Sequence, residues 1–219
     1  MDTVFIDCHP HQSLSKQPGI FSLSNIIYGR ETVPLEPCTL GIHPWYIDTD
    51  WEAQIAGLTQ EASSSQVLAI GECGLDKVCS SSWAIQVAAF ESQIQLAQQL
   101  NKPLILHTVR SFHETLALLK VHAQSIKVLF HGFQKNEQLA QTLLDQGYYL
   151  SLGAAILSGS KDTLLKNIPL DRILFETDDK SISIIDIYTY FCSVRGVSLA
   201  EVKTQIQQNF KTIFKYSIL

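Results

Sequence analysis

The sequence predicts an α/β fold in which a parallel sheet closes into a barrel. Short apolar, β-branched runs alternate with longer amphipathic segments along most of the 219 residues, and this alternation is typical of parallel sheets. Side chains that can bind metals follow several of the runs, and ligands from separate strands converge more easily on a closed ring than on an open sheet. We predict strands at Val4–Asp7, Phe21–Tyr28 (the weakest), Leu40–His43, Val67–Gly71, Leu104–His107, Val128–His131, Tyr148–Leu152 and Ile173–Glu176.

Helical periodicity occupies much of the sequence between these strands. A helix is predicted where apolar residues share one face at Trp83, Val87, Phe90, Ile94 and Ala97. A second contains Leu139 and Leu143 and ends at Gly147, and the last has an apolar face at Leu199, Val202, Ile206, Phe210 and Ile213. The gap from His11 to Phe21 is too short for a full crossover helix, so the first repeat is expected to be reduced. No linker or low-complexity tract interrupts the chain, which predicts a single domain over residues 1–219.

Composition restricts the classes of function. The 16 basic and 21 acidic residues give a net charge of −5, so any contact with nucleic acid should be local rather than a broad basic face. The five cysteines are scattered singly, which argues against a disulfide framework or a zinc ribbon. The sequence starts without a signal-peptide pattern and has no apolar run long enough to span a membrane. A cytoplasmic protein with no membrane contact and no obligate protein partner is expected.

The first strand is followed by two histidines separated by Pro10. Residues two apart on an extended strand point the same way, so the imidazoles of His9 and His11 can reach one ion. Asp7 shares this face and is expected to orient a histidine from behind. Cys8 and Cys73 alternate with the polar positions and are interpreted as packing residues.

Four further side chains occupy corresponding places in later repeats. Glu72, His107, His131 and Asp178 each end or follow a predicted strand. With His9 and His11 they make four imidazoles and two carboxylates, too many for a single tetrahedral ion. A pair of ions that share a carboxylate accommodates them, and such pairs hydrolyse phosphate esters or amides. Mixed ligands suit zinc, manganese, iron or nickel, whereas magnesium prefers more oxygen; zinc, manganese and magnesium are retained as candidates for two divalent ions.

Each candidate also has a structural interpretation. A single histidine at a strand end is more often a core or loop residue than a ligand, so the prediction depends on all six residues together. Glu72 could cap the following segment, and Asp178 could be a helix N-cap. Trp45 and Tyr46 could stack on a base, but packing under a loop is the favoured interpretation.

Three residues are candidates for substrate binding. Arg110 could bind a substrate phosphate or pair with an acid. Lys77 has the same two interpretations. His43 ends a predicted strand like the ligands, but Gly41-Ile42-His43-Pro44 could also be a turn.

An ordered set of short motifs resembles the TatD family of metal-dependent hydrolases, whose members include deoxyribonucleases. The motifs are DCHPH, GIHPW, AIGECGLD, KPLILHTVR, FHGF, FETD and QNFKTIF, and they cover nearly the whole chain. The resemblance implies a distorted TIM barrel of the metallo-dependent hydrolase type. It also implies two metal positions: His9, His11, Glu72 and Asp178 at one, and Glu72, His107 and His131 at the other, with Glu72 as the bridge.

The resemblance further implies an activity. That activity is hydrolysis of phosphodiester bonds. Divalent ions and Arg110 would offset the charge that develops on the phosphate, and Asp178 would accept the proton of the attacking water. The substrate would be DNA ends or short single strands, which suits an acidic chain.

Some features depart from the family pattern. Asp179-Lys180-Ser181 replaces a segment that often contains proline, and the chain is shorter than typical members. An alternative activity is that of a metal-dependent amidohydrolase or lactonase acting on a small molecule. Relatives of that kind often bridge their ions with a carboxylated lysine, whereas the matching strand here ends in Glu72 and Lys77 lies beyond it. A non-catalytic barrel that binds a partner is a further alternative, against which the intact ligand set argues.

Overall fold

A computed structural model describes residues 3–11, 17–123 and 125–218 of the chain. The strands of this part are β1 (Phe5–Asp7), β2 (Ile20–Ser22), β3 (Ser24–Ile27), β4 (Cys38–Gly41), β5 (Val67–Asp76), β6 (Leu104–Val109), β7 (Val128–Phe130), β8 (Tyr149–Leu152) and β9 (Ile173–Phe175). The α-helices are α1 (Trp51–Ala62), α2 (Trp83–Leu100), α3 (Phe112–His122), α4 (Glu137–Asp145), α5 (Asp162–Asn167), α6 (Ile184–Arg195) and α7 (Leu199–Phe214). Short 3-10 helices cover Pro44–Tyr46, Ala154–Ser158 and Leu170–Arg172. From β4 onward each strand is followed by a helix, as the sequence predicts for an α/β fold.

The chain divides into two compact units. The central unit is Asn25–Leu129, and the terminal unit joins Met1–Ser24 to Phe130–Leu219. Both units contain fully buried apolar residues. The single domain over residues 1–219 stays a prediction.

The central unit is built on strands that lie in the order β3-β4-β5-β6-β7. β5 pairs in parallel with both neighbours, so that Leu40 of β4 lies opposite Ile70, and Gly74 lies opposite His107 of β6. Since parallel strands have their carboxyl ends at the same edge, residues late in β5 and β6 are brought side by side.

Helix α2 packs on β5. Phe90, Ile94 and Ala97 are fully buried on the helical face predicted from the sequence, whereas Trp83 in the first turn is 36% exposed. Helix α2 ends at Leu100 and is capped by Asn101, which has a left-handed conformation with a φ of 51°.

Two glycines allow β5 to approach β6 closely. Gly71 and Gly74 have φ angles of 146° and 140°. A Cβ at Gly71 would overlap the backbone of Ile105, and a Cβ at Gly74 would overlap the carbonyl group of His107. Only glycine tolerates this approach, which lets Glu72 in β5 and His107 in β6 come within hydrogen-bonding distance.

In the terminal unit β1 pairs in parallel with β2, and β8 pairs in parallel with β9. The Cys8 N–H, just after β1, donates to the Phe175 carbonyl oxygen of β9 at 2.9 Å. The hydroxyl of Tyr188 in α6 accepts from the Ile6 N–H and donates to the Ile6 carbonyl oxygen. These bonds fix the end of β1, from which the histidine pair follows.

The predicted apolar faces of α4 and α7 are confirmed. Leu143 of α4 is fully buried, and the helix ends just before Gly147 with its φ of 80°. In α7 the buried residues include Val202, Ile206, Phe210 and Ile213, while Leu199 is partly exposed. The Asn209 side chain donates to the carbonyl oxygens of Leu170 and Ile173, each at 2.8 Å, and so ties α7 to the start of β9.

Three of the predicted strands differ most from the observed ones. Phe21–Tyr28 contains two strands rather than one, because Leu23 interrupts the run and its N–H donates to the Asp7 carbonyl oxygen. β4 ends at Gly41, and His43 instead caps the 3-10 helix that Pro44 begins. β5 continues past Gly71 to Asp76, because Cys73 to Asp76 pair with Leu106 to Val109 of β6.

The predicted reduction of the first repeat falls partly on residues 12–16, which lie outside the described residues. In the described part of the chain, no helix is long and apolar enough to cross a membrane.

Cys8 and Cys73 are fully buried, as expected of packing residues, and burial raises the pKa of both thiols.

Candidate functional site

The central unit contains one group of metal-compatible side chains. Its members, here called the central group, are His43, Glu72 and His107. The Glu72 Oε1 atom lies 2.8 Å from His107 Nδ1 and 3.2 Å from His43 Nε2. These two nitrogen atoms are 3.2 Å apart. An ion could therefore take one oxygen and two nitrogen atoms from this group, a donor set that fits zinc or manganese.

The carboxylate of Glu72 is held from behind by Asn25. The Asn25 Nδ2 atom donates to Glu72 Oε2 at 3.2 Å, and Asn25 Oδ1 accepts from the Glu72 N–H at 3.1 Å. The Thr39 hydroxyl donates to the same Oδ1 atom at 3.0 Å. All three side chains are buried, so the position of Oε1 is fixed by a packed hydrogen-bond network.

Asp76, at the end of β5, supports the other side of His107. Its Oδ2 atom lies 3.1 Å from His107 Nε2 and accepts from Trp45 Nε1 at 2.7 Å. Burial acts to raise the pKa of Asp76, but the bonds from Trp45, the Val78 N–H and His107 outweigh it and lower the pKa below its ordinary value. An ionised carboxylate on one ring nitrogen leaves the other nitrogen, Nδ1, as a basic ligand atom.

The terminal unit contains a second group of metal-compatible side chains. Its members, here called the terminal group, are His9, His131 and Asp178. The rings of His9 and His131 have centroids 4.3 Å apart. His11 lies beside this group, with Nε2 3.3 Å from Asp178 Oδ1. Three imidazoles and one carboxylate therefore meet after β1, β7 and β9.

Backbone hydrogen bonds join the histidine pair to Asp178. The Asp178 N–H donates to the His9 carbonyl oxygen at 2.9 Å, and the His11 N–H donates to the Asp178 carbonyl oxygen at 3.1 Å. Asp178 has a φ of 55°, a left-handed conformation that aspartate adopts more readily than most residues. The backbone turns at Asp178, and this turn places the Asp178 carboxylate next to the His11 imidazole.

Two buried carboxylates support the terminal group. Glu176 is fully buried; its Oε1 atom accepts from the Gly132 N–H at 2.6 Å and lies 3.6 Å from His131 Nδ1, while its other oxygen accepts from the Ser151 hydroxyl. Burial acts to raise the pKa of Glu176, but the bonds and charges of its partners, foremost His131, outweigh it and lower the pKa.

Asp7 is the second of these carboxylates. It accepts from the Thr177 hydroxyl at 2.6 Å and the Thr177 N–H at 3.0 Å, and its pKa is raised by burial. It also accepts from the His9 N–H at 3.4 Å. Asp7 thus contacts the segment that carries His9 through the backbone, and its expected role in orienting a histidine ring stays a prediction.

The six predicted ligands are thus distributed over two groups. Glu72 and His107 belong to the central group, whereas His9, His11, His131 and Asp178 meet in the terminal unit. The assignment of these residues to two ions, and the bridging role of Glu72, stay predictions. His43 was predicted only as a substrate-binding residue. Its Nε2 atom lies 3.2 Å from both Glu72 Oε1 and His107 Nδ1, close enough for all three atoms to bind one ion.

The other two candidates lie on exposed loops after β6 and β5. Arg110 follows β6 with a φ of 53°. The Lys77 ammonium contacts the Glu114 carboxylate and lies 5.3 Å from the Trp83 ring centroid. The pairing with an acid that the sequence left open for Lys77 is therefore present, while its role toward substrate stays a prediction.

Sequence reasoning missed three residues that support the groups: Asn25, Asp76 and Glu176. A signal existed for two of them. Asp76 stands four residues after Glu72 and Glu176 two residues before Asp178, and even spacings put side chains on one face of an extended chain. Nothing in the sequence around Asn25 indicates its bond to Glu72.

Histidine and carboxylate donors that follow the strands of an α/β scaffold are typical of one class of protein, the metal-dependent hydrolases. Within that class, the chain belongs to the TatD related DNase family, whose pattern matches residues 23–215. The resemblance drawn from the motifs is confirmed.

Relatives with curated names agree with this assignment. An uncharacterized metal-dependent hydrolase of Buchnera aphidicola subsp. Baizongia pistaciae is 31% identical over 211 residues, which cover 88% of this chain and 78% of the relative. The 3′-5′ ssDNA/RNA exonuclease TatD of Cronobacter sakazakii is 36% identical over 146 residues, which cover 64% of this chain and 56% of that protein. The chain is a metal-dependent hydrolase of the TatD family.

A solved structure shows the same fold. The TatD homologue YjjV of Escherichia coli K12 superposes with a TM-score of 0.82, covering 99% of this chain and 100% of the other, at 22% identity. At this sequence identity, the likeness shows a shared fold. The predicted distorted TIM barrel is confirmed.

Proposed function

We propose that this chain is a two-metal phosphodiesterase that removes nucleotides from DNA ends or short single strands. The observation that carries the proposal is the presence of two groups of histidine and carboxylate donors, within each of which the ligand atoms lie no more than 4.8 Å apart. The name of the Cronobacter relative, a 3′-5′ ssDNA/RNA exonuclease, supports nucleic acid as the substrate.

The central group would hold one ion through Glu72 and His107, with His43 as a further donor. The terminal unit would hold the other through His9, His11, His131 and Asp178. When bound, two divalent ions polarise phosphoryl oxygens and make water a better nucleophile at neutral pH. Buried Asn25 and Glu176 keep the donors in place, so that little rearrangement is needed when an ion enters.

Asp178 is the proposed proton acceptor. Its side chain is about one-third exposed, at 33%, whereas that of Glu72 is 2% exposed. The left-handed backbone and the two bonds to the histidine segment keep its carboxylate near His11. A partly exposed carboxylate can take a proton from water and release it to solvent, which a sealed one such as Glu72 cannot.

Substrate contacts are proposed for Arg110 and Lys77. Both are exposed cations that follow strands β6 and β5, and a guanidinium can bind phosphate through two parallel hydrogen bonds. Because the chain has a net charge of −5, these local cations would favour short or terminal substrates over a long duplex.

The test combines metal content with one substitution. The purified protein should contain about two divalent ions per chain. Asp178→Asn should lower the rate constant for an activated phosphodiester and for a single-stranded oligonucleotide by roughly 100-fold to 10,000-fold. Asp179→Asn is the matched control, because Asp179 is the adjacent carboxylate and its side chain is 63% exposed; it should keep full activity.

Two results would contradict the proposal. Unchanged turnover in Asp178→Asn would exclude its role in proton transfer. A protein that takes up the ions but hydrolyses amides or lactones, and no phosphodiester, would show that the metal sites serve another substrate.

A further inference from the structure

Trp45 is an exposed indole fixed to the central group. It lies in the 3-10 helix Pro44–Tyr46 and is 56% exposed, whereas its neighbours His43 and Pro44 are buried. This differs from the packing role that its sequence context favoured. An indole has a large apolar surface, and leaving half of it in water forfeits the free energy that its burial would provide.

Three contacts of the indole and one of its backbone hold Trp45 in one orientation. The backbone N–H of Trp45 donates to His43 Nδ1 at 3.2 Å, and the indole Nε1–H donates to Asp76 Oδ2 at 2.7 Å. Its ring meets the His43 and His107 rings at 83° and 75°, with centroids 5.0 and 6.0 Å away. An aromatic surface that is already ordered loses little conformational entropy when a ligand packs on it.

We propose that Trp45 is the platform on which a nucleic-acid base stacks next to the bond that is cleaved. This inference rests on the proposed function, since a base-stacking surface serves the chain only if its substrate carries bases. The indole offers a phosphate no free donor, because its Nε1–H already donates to Asp76. A base presents a neutral π-face that stacks on an indole whatever its sequence, which suits an enzyme that removes nucleotides without reading them.

The contacts of Trp45 also explain how stacking would position the substrate. The indole packs edge-on against the His43 ring, and its Nε1–H donates to Asp76, which lies 3.1 Å from His107 Nε2. A nucleotide whose base lies on the exposed face of the indole would therefore have its phosphate close to the central group. Trp45 is a positioning residue in this scheme, because it holds the substrate and takes no part in proton transfer.

The experiment compares two single-stranded oligonucleotides that differ only in the terminal residue, which carries thymine in one and is abasic in the other. The wild-type enzyme, loaded with its ions, should hydrolyse the thymine substrate with a kcat/KM about tenfold higher, mostly through KM. Trp45→Leu should remove this preference, whereas Trp45→Phe, which keeps a flat ring but loses the bond to Asp76, should retain most of it. Trp83 is a second exposed tryptophan of the same unit, and Trp83→Leu should keep the preference of the wild type for the thymine substrate.

The outcomes separate this inference from the function beneath it. If Trp45→Leu slows both oligonucleotides by the same factor, and Trp45→Phe does likewise, Trp45 only holds Asp76 and the inference is overturned. If the wild type cleaves both oligonucleotides equally well, the inference is also overturned, but the proposed phosphodiesterase stands. If the wild type cleaves neither oligonucleotide nor an activated phosphodiester, the proposed function fails and the platform fails with it.

Discussion

The central and terminal groups offer similar ligands but are built in different ways. In the central group the donor atoms already touch one another at 2.8 to 3.2 Å, and the side chains of Glu72, His43 and His107 are 2%, 6% and 12% exposed. In the terminal unit His9 is fully buried, but the side chains of His11 and Asp178 are 27% and 33% exposed and approach each other to 3.3 Å. A sealed donor set is typical of an ion that is held, and an open one of an ion that shares its coordination with water or substrate.

The difference also concerns what fixes each group. The central group is held by side-chain bonds, from Asn25 to Glu72 and from Asp76 to His107. The terminal group is held mainly by backbone bonds and by the buried carboxylate of Glu176. Four substitutions test this contrast.

The largest effect is expected from Glu176→Ala. The change would leave the Gly132 N–H and the Ser151 hydroxyl without their acceptor and open a cavity behind His131. Removing one side of such a buried network costs about 3 to 5 kcal/mol of unfolding free energy, measured by urea denaturation of the metal-free protein. A loss below about 1 kcal/mol would mean that the terminal unit does not depend on this carboxylate.

Glu72→Gln should act on metal affinity more than on folding. Glutamine keeps the shape of Glu72 and can still bond to Asn25, but it lacks the charge that attracts a cation. Affinity for zinc should fall about 100-fold or more, equivalent to ~2.7 kcal/mol, in a competition titration with a chelating dye. Glu114→Gln, an exposed carboxylate in α3, is the control. Equal affinities in the two variants would remove Glu72 from the ligand set.

A smaller loss is expected when Asp76 is changed to asparagine. The amide oxygen can still accept from Trp45, but the ionised partner of His107 Nε2 is lost. Because an outer carboxylate makes a coordinating imidazole more basic, we expect metal affinity to fall roughly tenfold in the same titration. An effect as large as that of Glu72→Gln would indicate that Asp76 binds the ion itself.

The smallest effect is expected on the stability of Asp178→Asn, the variant that tests proton transfer. Asparagine also adopts the left-handed conformation found at this position, and the side chain is partly exposed. The unfolding free energy should therefore change by less than about 0.5 kcal/mol. A larger loss in thermal unfolding of the metal-free protein would mean that the carboxylate also supports the fold.

Sequence reasoning recovered the features that depend on local pattern. The apolar faces of α2, α4 and α7 follow from helical spacing, and every predicted strand overlaps an observed one. The positions of Glu72 and His107 on neighbouring strands follow from their equivalent places in successive repeats.

Features that depend on which elements become neighbours were beyond the sequence. The sequence left His43 open between a strand end and a turn; it caps a 3-10 helix and reaches Glu72 because β4 and β5 are adjacent. The carboxylate of Asp76 gains its role only when β6 and the loop of Trp45 pack around it. The exposure of Trp45 could not be foreseen either, since composition indicates that an aromatic side chain usually packs.

The close approach of β5 to β6 limits how this centre can change during evolution or in the laboratory. Since neither Gly71 nor Gly74 can accept a side chain, a new ligand cannot be added beside Glu72 at these two positions without separating the strands. Variation in metal preference at the central group is therefore expected in the loop that carries His43. A mutant library designed to change metal preference should therefore vary that loop rather than strand β5.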